Sequence, residues 1–386
     1  MTGRKKLLLA TVMAVLLLGS AELMAFLFTR THGNLFRPGP EVVAQALDMA
    51  AYREFLATRY DQELGWRNPR ATSMLLENCL GEPKRYTWNA AGARADGELR
   101  VVDIVAVGDS FTHGHDAADS ETYPYRLQQI TGAVVANYGV SGFDPLQATL
   151  QFERVAPRHA EARVAILGVM YENIARLPNA FRGAYRPISK EPFGFKPFVD
   201  VVGPEPVIRA NPNAPPAVTP EELRARVETA LESDYWRLPR ASFPYLAGIA
   251  EVTTTRLFLF QVKKRLRGGD AFVEFEDPPL AAGLRRVIER FLSSAQAQGM
   301  APVVLFLPEN RQDLRSAAGL AAALEEDHPG ALILDLADAT LAWERYSLNG
   351  TRCHPSPYGY EQIARHVAAA LVERGLIEEA VRTAGD

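Results

Sequence analysis

Five short runs, at 101–107, 133–138, 163–169, 301–307 and 331–336, are apolar at nearly every position and rich in Val, Ile and Leu. A strand that is apolar on both sides of its pleat must be covered on both faces, as in a parallel sheet buried between helices. Stretches with helical patterning lie between the runs, at about 122–131, 144–156, 280–299 and 311–326, and a last one follows at 358–375. Alternation of strand and helix implies right-handed crossovers. The pattern therefore predicts an α/β fold, a three-layer α/β/α sandwich with a central parallel sheet.

The two ends of this rhythm differ from its middle. Residues 7–28 are apolar except for Thr11, Gly19, Ser20 and Glu22, and Arg4, Lys5 and Lys6 precede them. About 20 such residues cross a bilayer. Small residues at 19–21 offer a cleavage site, but 23–28 stays apolar beyond it, so residues 1–30 are expected to be an uncleaved anchor. Positive charge before the span predicts a single-pass protein of the inner membrane with everything after the helix in the periplasm. Residues 31–100 read as an irregular stem or cap, and 101–380 as the main domain. Within that domain 187–269 breaks the rhythm. It is proline-rich at first, has a helical pattern at 219–231, and ends in KKRLR at 263–267. Such a charge run ordinarily marks a solvated face, with a lipid- or partner-binding role as the second reading.

The chain has 386 residues, 47% hydrophobic and 23% charged, which is an ordinary globular balance. Its 42 Lys and Arg against 46 Asp and Glu leave no basic excess to neutralise a phosphate backbone, which argues against nucleic acid as a partner. There are two cysteines, Cys79 and Cys353. An even count in an exported chain permits one disulfide, with two unrelated thiols as the alternative. A bridge would tie the segment before the first core strand to the residue beside His354.

Candidate chemistry concentrates at 104–114, IVAVGDSFTHG. A nucleophile at the carboxyl end of a buried strand, here Ser110, stands in the crevice where α/β sheets bind ligands. Gly108 permits the tight turn, and the start of a helix offers backbone N–H groups to a developing oxyanion. Serine needs a base. Of the histidines at 32, 113, 115, 159, 328, 354 and 366, His354 lies in a turn-rich loop, CHPSPYG at 353–359, that follows the last apolar strand and precedes the last helix. His113, His115 and Asp116 form a small HGHD cluster. A structural metal site ordinarily needs four ligands and no second cluster is evident, so neither a metal nor another cofactor is expected, and these histidines read as surface or helix-facing residues.

GDSFTHG at 108–114, NYGVSG at 137–142, LGVMYEN at 167–173 and HPSPYGYEQIA at 354–364 resemble, in order and spacing, the four blocks of the SGNH (GDSL-type) hydrolase family. The resemblance covers about 101–375, and LGWR at 64–67 with Asn89 and Gly92 resembles the upstream region of membrane-anchored members. It implies Ser110 as nucleophile, His354 as base, and an oxyanion hole made by the Ser110 and Gly139 backbone N–H groups and the Asn173 side chain. Gly139 would let the backbone approach the substrate without a Cβ.

Two positions depart from the family pattern. Ile174 follows Asn173, where the family usually has aspartate, and the acid that orients the histidine, normally three residues before it, is replaced by Thr351. Three outcomes stand open. His354 works as a dyad held by a backbone carbonyl; a carboxylate such as Glu172, Asp335 or Asp338 reaches it; or the site is weakened. The function expected is a serine esterase or O-acyltransferase acting outside the cytoplasm on ester groups, O-acetyl first among them, of an envelope or exported polysaccharide. The rivals are a catalytically weakened binding or assembly subunit of the same fold and a lipase-like esterase.

Overall fold

The computed structural model describes residues 2–32, 35–36, 48–95, 97–99, 101–185, 194–266, 273–309, 317–338, 343–348 and 353–378. It opens with α1 (Gly3–Thr31), a helix long and apolar enough to cross a membrane. Helix α2 (Met49–Thr58) follows, started by the Asp48 carboxylate, which accepts the Ala50 and Ala51 N–H groups. Strands β1 (Thr72–Glu77) and β2 (Pro83–Trp88) then form an antiparallel hairpin with Ser73 opposite Thr87. This regular element stands in the stretch expected to be irregular. Periodicity gives no signal for it, because the apolar residues of β1, Met74, Leu75 and Leu76, are consecutive and exposed.

Along the rest of the chain run β3 (Ile104–Val107), α3 (Ser110–His113), α4 (Tyr123–Thr131), β4 (Val135–Asn137), α5 (Pro145–Val155), β5 (Val164–Met170) and α6 (Asn173–Arg176). The insertion carries α7 (Pro220–Ser233), α8 (Tyr245–Val252) and α9 (Arg256–Leu266). The sandwich is completed by α10 (Pro278–Ala297), β6 (Ala301–Leu307), α11 (Ala318–Asp327), β7 (Leu332–Asp335) and α12 (Pro357–Glu373). The five core strands pair in parallel in the order β4-β3-β5-β6-β7.

The pleat sorts their side chains into two cores. Val105, Val107, Leu167, Val169 and Phe306 meet α5 and α10 on one face, while Ile104, Val164, Ile166 and Leu305 meet α4 and α12 on the other. The expected three-layer sandwich is the fold, and the five expected strands are its sheet. Because β4 and β5 flank β3, the connection leaving β3 runs over the α4 face and that leaving β5 over the α10 face, opening a crevice at the carboxyl ends of these strands.

The insertion packs on the α5 and α10 side, where Tyr235 and Trp236 join the core. Its basic end is less solvated than the charge run suggests: Lys263 pairs with Glu276 at 2.9 Å and Lys264 with Glu274 at 3.2 Å. Arg267, the last residue of that run, lies outside the described residues.

Candidate active site

Strand β3 is buried throughout and delivers Gly108, Asp109 and Ser110 to the crevice. A Cβ on Gly108 would run into the Thr112 side chain and the Gly168 carbonyl of β5, so the turn requires glycine. Asp109 starts α3, its carboxylate accepting the Phe111 N–H at 2.9 Å. Complete burial pushes the Asp109 pKa up. Arg176, with Nη1 3.7 Å from Oδ2, opposes this by favouring the charged form. Arg176 is itself held by Glu172 at 2.9 Å, so one of the proposed substitute acids is committed to an ion pair behind Ser110. Ser110, 6% exposed, tops this buried network.

The last loop returns His354 to the same end of the sheet. Its ring packs edge-on against Phe111, the residue after Ser110, with centroids 5.8 Å apart. Its Nδ1 lies 2.8 Å from Asp116 Oδ2. Sequence reasoning missed this acid. Asp335 instead accepts the Tyr171 hydroxyl, the side chain of Asp338 and the whole of Thr351 lie outside the described residues, and a backbone carbonyl is not needed. Burial raises the Asp116 pKa, but the hydrogen bond from His354 and that ring's charge outweigh it, and the carboxyl is held below its usual range. Asp116 is therefore ionised wherever the imidazole works.

Three groups aim Asp116. Its backbone is in the left-handed region, at φ 66°, which residues other than glycine rarely adopt and which turns the carboxylate back toward the last loop. Its N–H donates to the Tyr86 hydroxyl of β2 at 2.8 Å, and its Oδ1 accepts the Cys79 N–H at 2.9 Å. Cys79 lies in the turn between β1 and β2 and is disulfide-bonded to Cys353, the neighbour of His354. Asp116 and His354 are thus gripped by one covalent staple. Buried Arg94 fixes the loop from below, donating to the carbonyls of His113 and Ala117 and to Asp119, and stacking over the Tyr86 ring at 4.1 Å.

The oxyanion candidates differ in state. Asn173, the first residue of α6, is 1% exposed, and neither polar atom of its amide makes a hydrogen bond among the described residues, although it lies close enough to the Asp109 carboxylate to favour its charged form. Leaving a buried amide unpaired costs about 1–3 kcal/mol, which marks it as a group awaiting a ligand. The Gly139 N–H is engaged, donating to Asn137 Oδ1 at 3.0 Å. A Cβ on Gly139 would strike the backbone of Thr112 and His113, so glycine is required there by its packing on α3 rather than by approach to a substrate. The upstream segment supports the same loop: Asn68 donates to the Gly139 carbonyl at 2.9 Å and the Trp66 indole to that of Ser141 at 3.0 Å.

His113 and His115 part company. His113 packs against both the Tyr86 and the Trp88 rings, and complete burial pushes its pKa well down, so it is neutral core. His115 lies beside the His354 ring, centroids 4.6 Å apart, and burial, with the His354 charge, pushes its pKa down to about 4. Its Nδ1 is 3.2 Å from the Ser141 hydroxyl. Among the described residues, His115, Asp116 and His354 are the group able to hold a metal, with ligand atoms within 4.8 Å of one another. Two of the three are already spent on each other.

No protein-family model matches the chain, and no curated protein is similar to it at a significant level. Among solved structures it is similar to a G-D-S-L family protein from Desulfitobacterium hafniense DCB-2, with 14% identity and a TM-score of 0.35 over 69% of this chain and 98% of that one. It is similar also to a member of the lipolytic protein G-D-S-L family from Veillonella parvula DSM 2008, with 12% identity and a TM-score of 0.35 over 71% of this chain and 97% of that one.

Proposed function

We propose that this protein is a serine acyl-transfer enzyme, an esterase or O-acyltransferase, in which Ser110, His354 and Asp116 form the triad. The observation that carries the reading is the 2.8 Å contact between Asp116 and His354 Nδ1, placed against the residue that follows Ser110. An ionised acid on Nδ1 fixes the tautomer that leaves Nε2 as base, and it stabilises the imidazolium formed during reaction. This supports an active site over a weakened one.

Ser110 Oγ attacks the ester carbonyl carbon as its proton passes to His354 Nε2. The carbonyl π pair moves to oxygen, where Asn173 Nδ2 and the Ser110 N–H stabilise it; the Gly139 N–H joins them on turning from Asn137. Collapse expels the alkoxide, which takes the proton from His354 and leaves acyl-Ser110. A second hydroxyl gives its proton to Nε2 and attacks the acyl carbon; collapse expels Ser110 Oγ, which takes that proton back from His354 and restores the resting site. Water as this acceptor makes an esterase; a sugar hydroxyl makes an O-acyltransferase. The apolar α1 with its basic start supports a periplasmic domain held at the inner membrane, and hence an O-acylated envelope or exported polysaccharide as substrate.

Labelling with a serine-directed fluorophosphonate tests the enzyme reading. An adduct on Ser110 that Ser110→Ala abolishes is expected; no adduct on the unaltered protein sinks it. Following the acyl group from an ester donor with and without a glycan acceptor separates hydrolysis from transfer.

A further inference from the structure

One face of α1 is covered by protein. Glu22, Ala25, Phe26 and Thr29 stand at i, i+3, i+4 and i+7, and Ala25 and Thr29 are buried. The cover is α8 of the insertion. Glu22 Oε2 accepts the Tyr245 backbone N–H at 2.7 Å, and the Phe26 and Tyr245 rings meet edge-on with centroids 5.2 Å apart. Tyr245 opens α8, which has no side-chain cap of its own, so the Glu22 carboxylate satisfies one of the N–H groups that a helix start leaves orphaned. The ionisable residue inside the apolar run thus has a partner.

The position of this contact fixes a depth. About 20 helical residues cross the hydrocarbon. Counted from Leu7, residues 22–29 are where α1 leaves it, so α8 is held at the level of the membrane surface. Around it the insertion exposes large apolar side chains: Phe243 at 75%, Leu246 at 36%, and on α9 Leu259 at 54%, Val262 at 38% and Leu266 at 83%. The last three stand at i, i+3 and i+7, a single stripe on α9. Apolar groups gathered this way mark an interaction surface.

We infer that residues 243–266 lie in the membrane–water interface at the C-terminal end of α1, with Phe243, Leu246, Leu259, Val262 and Leu266 among the acyl chains and Glu22–Tyr245 fixing the segment to the anchor. The inference rests on the reading of α1 as a membrane span. Continuity with α1 selects the bilayer as the occupant. Since Lys263 and Lys264 are paired with Glu276 and Glu274, insertion is driven by apolar burial rather than by anionic headgroups. The catalytic domain is then held against the bilayer at a fixed attitude.

The test uses the full chain reconstituted into phosphatidylcholine vesicles. Its two cysteines are bonded to each other, so Phe243→Cys, Leu259→Cys, Leu16→Cys and Glu325→Cys each provide one site for an environment-sensitive fluorophore. Leu16 lies mid-anchor, and Glu325 is exposed on α11. Brominated acyl chains are expected to cause loss of emission at 16, 243 and 259 but not at 325, unchanged when phosphatidylglycerol is added. Loss at 16 while 243 and 259 behave like 325 overturns the inference and leaves the anchor standing. No loss at 16 overturns the anchor and the inference with it. Shielding at 243 and 259 that ignores bromination and grows with protein-to-lipid ratio assigns the surface to a second copy of the chain and also overturns the inference.

Discussion

Asp116 Oδ2 lies 2.8 Å from His354 Nδ1 although 238 residues separate them. The acid thus stands on the loop that leaves the nucleophile helix instead of on the loop that carries the base. A triad requires only that Nδ1 meet an ionised acceptor in the ring plane, and that requirement is indifferent to which loop supplies it. What moves with the acid is its support. Ser110 and Asp116 share one short stretch of chain pinned by Arg94, and the base is tied to it from outside by the Cys79–Cys353 bond.

Replacing Asp116 by asparagine tests this directly. The side chain keeps its size but loses its charge, so kcat is expected to fall by about 10⁴ with KM little altered. Asp335→Asn, at a carboxylate that accepts the Tyr171 hydroxyl and the Ala337 N–H, should leave kcat within a few fold. Ester turnover by the two variants distinguishes the relocated acid from the carboxylate on β7; equal losses would refute the assignment.

The sheet, and the placement of Ser110 and His354 at one end of it, were legible because continuous apolar runs, a strand-to-helix turn and a turn-rich loop leave local signatures. Asp116 left none. HGHD invites a metal reading, and the left-handed backbone that aims the carboxylate follows from contacts with Tyr86 and Cys79, residues of a hairpin whose β1 strand shows no alternation. Gly139 was found for a different reason than the one that holds it: its Cβ would strike α3. In each case position along the chain was readable, and what the residue faces across the fold was not.

The disulfide should matter to catalysis as well as to stability. The bridge spans 274 residues and joins the neighbours of both acid and base. Cys79→Ser with Cys353→Ser is expected to lose about 2–5 kcal/mol of stability. It should also lower kcat up to about a hundredfold, through sub-ångström to ångström misplacement of His354 against Asp116. Titrating the unaltered protein with dithiothreitol while following turnover and far-ultraviolet circular dichroism checks this: activity should fall before secondary structure does. Loss of both together would assign the bridge to stability alone.

Asn173 carries a buried amide that lies beside the Asp109 carboxylate and makes no hydrogen bond among the described residues. As an oxyanion donor its truncation to alanine should cost about 10²–10³ in kcat with little change in KM. Because Asn173→Ala also removes an unsatisfied buried group, thermal stability should hold or rise slightly. An unchanged kcat would return the amide to a structural role, and a fall in thermal midpoint would show that it is bonded in solution.

The two histidines beside the site make stability depend on pH in a direction that can be worked out. Burial, and then the charge of His354, hold the His115 pKa at about 4 against 6.5 for a free histidine, and His113 is pushed down as well. Between those values the unfolded chain binds protons that the folded chain refuses, so stability rises with pH across that window and is lost as pH falls from about 6.5 toward 4. For His115 alone the full difference is worth about 3 kcal/mol. His115→Gln should therefore flatten the fall in denaturant midpoint between pH 7 and pH 5 relative to the unaltered protein. Chemical denaturation of both at the two pH values measures it; an identical slope would mean that His115 is solvated and free to titrate.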